Sequence, residues 1–227
     1  DRPQSGIIIG KEKWINAMQK NPLYRVMRSD KITLGLLEEI LRSYRSNYFT
    51  KDNLSLRMLT TKRSTLVNRG KKVIEGDRQS HVRDHLSSIC GSESSLCVNN
   101  NAASVMLSIN EMAFGGEVIV SRGQLVEIGG SFRIPDIIKK SGAILKEVGT
   151  TNRTHFSDYK KAVSKKTKLI LWVHTSNYIV KGFTRTVPLS DLVQLGRSKN
   201  IPVMVDWGSG AIPVSYTHLR AHETINH

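Results

Sequence analysis

From Val118 onward, short β-branched runs alternate with amphipathic segments, the pattern of parallel strands joined by crossover helices. The spacing predicts strands over Val118 to Ser121, Ala143 to Val148, Leu169 to His174 and Pro202 to Asp206. Between them it predicts helices over Pro135 to Ser141, Ser157 to Ser164 and Leu189 to Arg197. Pro135 suits a first helical turn, Ser157 and Ser190 are expected to cap the next two helices, and Gly142 sits where a left-handed C-cap belongs. The expected architecture is α/β, doubly wound.

Upstream, Ser80 to Cys90 carries Val82, Leu86 and Ile89 at helical spacing and stops at Gly91. A strand over Ser95 to Val98 then runs through Asn99-Asn100-Asn101 into a helix over Ala102 to Ala113, with Val105, Met106, Ile109 and Met112 on one face. Farther forward, Ser29 to Tyr44 reads as a capped helix with an apolar stripe at Leu36, Leu37, Ile40, Leu41 and Tyr44. Residues 45 to 75 have weak periodicity, many cations and many turn formers, and read as a linker or junction.

At 227 residues and 39% hydrophobic content, the chain can bury a core of one large domain or somewhat more. Its longest apolar runs, Gly6 to Ile9 and Leu169 to Val173, fall far short of the ~20 residues that span a bilayer. No basic-then-apolar leader opens the chain, and two cysteines, Cys90 and Cys97, make neither a disulfide framework nor a zinc site. The expectation is a cytoplasmic protein. The net charge of +15 is spread over both parts, with 16 basic and 7 acidic residues up to position 75 and 18 and 12 beyond it. That balance suits a polyanion such as RNA, or phosphorylated substrates, and equally suits a merely basic surface.

Several features could carry chemistry. The asparagines before the Ala102 helix stand at a helix N-terminus, whose unpaired N–H groups attract a phosphate; ordinary Asn turn and capping chemistry explains them as well. Neither a P-loop nor a dinucleotide fingerprint is present. Asp206 ends an apolar run and precedes Trp207-Gly208-Ser209-Gly210, where a sheet's carboxyl edge meets a glycine-rich turn. A carboxylate there can hold the proton on a heterocyclic nitrogen, as pyridoxal enzymes require, or can cap a helix or bind a metal. His174 ends the neighbouring strand in a similar place, a position that structural histidines also take. Arg25 and Arg28, three apart, are expected to share a helix face and could fork onto one phosphate. His81 and His85 have ligand-like spacing without a third ligand, and His218, His222 and Glu223 only imitate a metal motif, so no metal site is expected.

The longer motifs point to a family. Val98 to Ala103, Val120 to Pro135, Glu147 to His155, His174 to Tyr178 and Asp206 to Gly210 closely resemble the bacterial L-seryl-tRNA(Sec) selenium transferases. Pro3 to Gly10, Asn21 to Thr33 and Leu56 to Thr60 resemble them too. The resemblance implies the large domain of a fold type I pyridoxal phosphate enzyme, incomplete here, with a mostly parallel sheet and helices on both faces. It also implies conversion of seryl-tRNA(Sec) to selenocysteinyl-tRNA(Sec) with selenophosphate as donor, in a homo-oligomer built as a ring of dimers. On the same basis Asn100 and Asn101 would lie at the cofactor phosphate, Asp206 at the pyridine nitrogen, and His174 and Ser209 near the ring. Arg25, Arg28 and Arg78 would gather the donor's phosphate.

The chain departs from the family in order. The block over residues 1–61 lies carboxyl-terminal to the block over residues 76–213 in the family, and here it comes first. The intervening family stretch with Ser-Gly-Asp-Lys, whose lysine forms the Schiff base, is absent from this sequence. The expectation is two fragments of one gene joined across residues 62–75, without the family's amino-terminal tRNA-binding domain and catalytically inactive. Residues 214–227 leave the family pattern and resemble translated read-through of a sequencing adapter, a non-native tail. Two other readings are a related pyridoxal phosphate lyase of phosphorylated amino sugars or amino acids, and a non-catalytic basic fragment that binds RNA by charge.

Overall fold

The computed structural model describes residues 5–45, 78–128, 132–175 and 177–208, with the backbone of two further strands at 211–214 and 217–220. It divides into two compact units, Asp1–Ser104 and Val105–His227.

In the second unit four strands form a parallel sheet: β3 (Glu117–Ser121), β6 (Ile144–Val148), β7 (Thr167–Val173) and β8 (Val203–Asp206), in the order β6-β3-β7-β8. Alternation along each strand sends side chains to opposite faces. Val118, Val120, Leu169, Leu171 and Val173 pack against Val105, Ile109 and Ala113 of α5 (Asn101–Ala113) and against Ile134 and Ile138 of α6 (Ile134–Lys140). Ile119 and Ile170 point the other way, onto Tyr159 of α7 (Phe156–Ala162) and Leu192 and Leu195 of α8 (Leu189–Lys199). Strands covered on both faces need continuous apolar runs, which is why Leu169 to Val173 has no polar interruption. A short antiparallel pair, β4 (Glu127–Ile128) and β5 (Phe132–Arg133), lies between β3 and α6 in the chain, and β9 (Ala211–Val214) pairs with β10 (Thr217–Arg220).

The expected α/β architecture is present, with two corrections at helix starts. α7 begins at Phe156, and the Asp158 carboxylate accepts the His155 backbone N–H at 2.8 Å, so Ser157 lies inside the first turn and does not cap it. α8 follows Pro188, which leaves Ser190 inside that helix as well. Gly142 adopts the left-handed φ of +77° expected of it.

The first unit holds β1 (Gly6–Gly10), α1 (Glu12–Lys20), α2 (Pro22–Met27), α3 (Lys31–Arg45), α4 (Arg78–Cys90) and β2 (Ser94–Val98). β1 and β2 pair antiparallel, from Gly6 opposite Val98 to Gly10 opposite Ser94. Asp30 caps α3 by accepting the N–H groups of Ile32 and Thr33 at 2.8 and 2.9 Å, so the cap is Asp30 and the helix does not start at Ser29. α3 packs on α4 through Leu34, Leu41, Val82 and Leu86. Glu38 is also buried on this seam, its Oε1 accepting from Arg42 Nη2 at 2.7 Å and lying 3.3 Å from His81 Nδ1.

Candidate functional site

The carboxyl edge of the parallel sheet gathers the second unit's candidate side chains. Register places Asp206 opposite Val173, and the His174 backbone N–H donates to the Asp206 carbonyl at 2.9 Å. β8 ends there because Gly208 takes a positive φ of 52° and turns the chain. The Gly208 N–H donates to Asp206 Oδ1 at 3.1 Å, which fixes a carboxylate that is only 4% exposed. Next to it the rings of Trp172, His174 and Trp207 form a cluster with centroids 5.5 to 6.1 Å apart. Ser209, expected near the same place, lies outside the described residues.

Other side chains on this edge were not singled out from the sequence. Gln124 is buried, and its Oε1 accepts the Val173 N–H at 3.4 Å. Ser121 and Thr154 share a buried hydrogen bond of 2.7 Å, and the Tyr178 hydroxyl donates to the Gly123 carbonyl. Burial pushes the Tyr159 hydroxyl's pKa well above its ordinary value, so this phenol stays protonated. Period-two spacing on β7 was the available signal for Trp172, since residues i and i+2 share a strand face. An open groove of about 760 Å³ lies off the β6 end of the same edge, lined by Gly149, Arg153, His155, Asp158 and Lys161 among others.

In the first unit, Asn100 accepts the Ala103 N–H through Oδ1 at 2.8 Å and so caps α5, while the Ser104 hydroxyl donates to the Asn101 carbonyl at 2.7 Å. A Cβ on Gly6 would sit 2.1 Å from the Asn100 carbonyl oxygen, so β1 approaches this turn closer than any side chain permits. The Asn99 N–H donates to the Met27 carbonyl at 2.9 Å and Arg28 bridges Val98. That bridge pulls Arg28 into extended backbone after α2 ends at Met27, which corrects the expectation that Arg25 and Arg28 share a helix face. Gln79 donates to both the Cys97 carbonyl at 2.6 Å and the Tyr24 hydroxyl at 2.7 Å. Its bonds draw the start of α4, where Arg78 sits, to the end of β2 and to α2. Arg28 and the start of α4, where Arg78 stands, thus lie beside the end of β2, whereas Arg25 sits on α2, whose Met27 carbonyl meets Asn99; the Arg78 side chain is outside the described residues.

These donor sets match the chemistry of pyridoxal phosphate. A buried, oriented carboxylate suits a protonated ring nitrogen. A capped helix start with two exposed arginines nearby suits phosphate. His81, one of the spaced histidines, turns instead to Glu38. No group of three or more potential metal-ligating side chains occurs among the described residues, and no helix there is long and apolar enough to cross a membrane.

Comparison with known proteins supplies the lineage. The chain is 53% identical over 174 residues to the L-seryl-tRNA(Sec) selenium transferase of Carboxydothermus hydrogenoformans, covering 77% of this chain and 34% of that protein. It is 59% identical over 136 residues to the enzyme of the same name from Nitratidesulfovibrio vulgaris, covering 60% and 29%. The chain therefore spans about a third of the length of the curated relatives it matches. Among solved structures, D-glucosaminate-6-phosphate ammonia-lyase is similar over 55% of this chain and 37% of that one, with 22% identity and a TM-score of 0.47. A family model described as L-seryl-tRNA selenium transferase matches residues 1–76 and 67–222, nearly the whole sequence, and the chain belongs to that family.

Proposed function

We propose that the protein from which this chain derives converts seryl-tRNA(Sec) to selenocysteinyl-tRNA(Sec) with pyridoxal phosphate as cofactor and selenophosphate as selenium donor, in the cytoplasm and as a homo-oligomer. The observation that carries the reading is the buried Asp206 carboxylate, held by Gly208 beside His174 on the carboxyl edge of a parallel sheet, in a chain of this family. Bound pyridoxal phosphate supplies an electron sink for loss of the seryl Cα proton and departure of the Cβ hydroxyl. Asp206 keeps the proton on the ring nitrogen. His174 and Ser209 orient the ring, Asn100 and Asn101 hold the phosphate through the start of α5, and Arg25, Arg28 and Arg78 collect the donor's phosphate.

We propose that none of the lysines in these 227 residues takes the Schiff-base role, because none of them stands in the family's Ser-Gly-Asp-Lys context. Lys11 and Lys13 do not fill that role. The Gly6 end of β1 lies opposite Val98, next to the Asn99–Asn101 turn, whereas Lys11 and Lys13 follow the Gly10 end. At ~3.3 Å per residue that is roughly 13 Å away along the strand. Borohydride reduction with pyridoxal phosphate followed by peptide mass spectrometry is expected to give no stoichiometric adduct on any single lysine. An adduct on one lysine together with turnover of seryl-tRNA would overturn this reading. A gel shift of serylated tRNA(Sec) by the full-length parent separates the transferase from a lyase that needs no tRNA; no shift at low salt would favour the lyase.

A further inference from the structure

The parallel sheet opens at one place on its carboxyl edge. The β3–β6 ladder runs to Ser121 opposite Val148 and the β7–β8 ladder to Val173 opposite Asp206, but the β3–β7 pairing ends at Ile119 opposite Ile170. Beyond that pair the two middle strands are no longer joined. The chain leaves β3 through α6 on one face of the sheet and leaves β7 through α8 on the other, so the connections change face and direction at the same place. In open α/β sheets such a switch point is where the carboxyl edge takes a ligand.

Gln124 stands in this opening. β3 runs into a short helical turn over Arg122–Gln124, which is held because Tyr178 donates to the Gly123 carbonyl and the Val126 N–H to the Gln124 carbonyl at 2.9 Å. On β7 the Ile170 and His174 N–H groups donate to Pro202 and Asp206 on the β8 side, so alternation turns the Val173 N–H toward β3. With β3 gone from the ladder, Gln124 Oε1 accepts that N–H at 3.4 Å. A backbone N–H only donates, which fixes the amide with its oxygen at this end and its NH2 at the other. Gln124 is 6% exposed, and its Nε2 has no partner among the described residues. A buried donor in that state costs stability until something accepts from it. The cation of the same turn, Arg122, is already committed to Glu147 at 2.7 Å.

Asp206 lies on the other side of β7. Strands ~4.8 Å apart put β3 and β8 roughly 10 Å from each other, room for one pyridine ring with a hydrogen bond of about 2.8 Å on each flank. We infer that Gln124 is a cofactor-holding residue, its Nε2 donating to the phenolic oxygen of pyridoxal phosphate while Asp206 holds the ring nitrogen. A neutral donor there favours the ionised phenol and adds no charge to the ring. The inference rests on the reading that pyridoxal phosphate binds at this edge.

The test uses this 227-residue chain with pyridoxal phosphate and with its analogue lacking the phenolic hydroxyl, binding being read by quenching of tryptophan fluorescence. Wild type is expected to hold pyridoxal phosphate roughly tenfold more tightly than the analogue. Gln124→Met keeps the length of the side chain and removes the donor. It should weaken pyridoxal phosphate roughly ten- to hundredfold, the size of a hydrogen bond to a charged group, and change the analogue by no more than about threefold. The absorbance of the bound cofactor should move from its ionised-phenol band toward its neutral-phenol band. An equal loss on both ligands gives Gln124 a purely structural role and overturns the inference, as does unchanged affinity for pyridoxal phosphate. Circular dichroism checks the fold. If Gln124→Met does not fold, the wild-type comparison carries the test, and equal affinity for the two ligands overturns the inference. Absence of binding of either ligand removes the cofactor reading as well, whereas tight binding of pyridoxal phosphate that ignores Gln124→Met removes this inference alone.

Discussion

His174 and Trp207 stack with ring centroids 5.5 Å apart and 16° between their planes. They belong to adjacent strand ends, so the contact ties the carboxyl end of β7 to the turn after β8. Trp172 completes the cluster from two residues back on β7. Flat apolar surfaces thereby orient the imidazole, while the His174 backbone is fixed by Asp206.

Trp207→Ala removes the ring that lies closest to His174 and should free its side chain. With Trp207 already 40% exposed, the stability loss is expected to be about 1–2 kcal/mol in urea unfolding, a little above the ~0.5–1.5 kcal/mol of an aromatic pair. The His174 ring resonances should broaden or shift by NMR. A variant with unchanged resonances would show that the cluster does not set the imidazole's orientation.

Asp206→Asn keeps an oxygen that can accept the Gly208 N–H but removes the charge. The melting temperature should therefore change little. Affinity for pyridoxal phosphate, read by quenching of tryptophan fluorescence, should fall roughly ten- to hundredfold, the size of a charge-assisted hydrogen bond. Equal affinity for both forms would remove Asp206 from the cofactor's ring nitrogen.

Gly6→Ala puts a methyl group into the Asn100 carbonyl, 2.1 Å away, where backbone on both sides must shift. A destabilisation of about 1–3 kcal/mol is expected, the usual range for overpacking. Amide exchange should rise first at Asn99 to Ala103, because the strain enters at their turn. Exchange that rises only at Gly10 and Ser94, the other end of the ladder, would contradict this.

Glu117 has a pKa below the ordinary carboxylate value, chiefly because the Ser164 hydroxyl hydrogen-bonds it at 2.7 Å, with Lys146 at 3.0 Å adding to the effect. A carboxylate whose pKa is depressed by folding stabilises the folded state above its unfolded pKa of about 4.3 and loses that contribution as pH falls through the folded value. Glu117→Gln should thus be less stable than wild type at pH 6 to 7, and the two should converge as acid unfolding approaches pH 3. A gap that stays constant from pH 7 to pH 3 would show that Glu117 contributes by packing alone.

The elements of both units were largely legible in the sequence; what it left out was how the first unit's elements pack. Buried parallel strands leave uninterrupted apolar runs, so Leu169 to Val173 and Val203 to Val205 announce themselves, and the glycine-rich turn after them marks Asp206. The stripe on α3 held at Leu37 and Leu41 and missed Leu34 and Glu38. Leu36 and Ile40 are half-buried, and the seam runs through Leu34, Glu38 and Leu41, a helical spacing that passes through a carboxylate. Pattern reading rejects an acid at a core position, but Arg42 and His81 supply its partners from the helix's own next turn and from α4. Arg28 failed for a similar reason: its backbone is claimed by Val98, far off in sequence, and no local spacing encodes that. At Ser157 and Ser190 capping preference was outweighed by the chain's entry from His155 and Pro188.

The β1–β2 ladder closes Gly6 onto Val98, and α3 packs on α4, so strand and helix from the front of the chain dock onto partners that follow residue 77. Hydrogen bonds and side-chain seams recognise shape, and neither records the order in which segments were translated. The covalent link between them makes their meeting intramolecular, and the entropy of closing a loop grows only as about (3/2)RT ln n with the number of residues in it. Lengthening it twofold would cost about 0.6 kcal/mol, and cutting it would exchange an intramolecular concentration for a bulk one. The first unit is in this sense a complex of two peptides that happen to share a backbone, and each half carries its own recognition surface for the other.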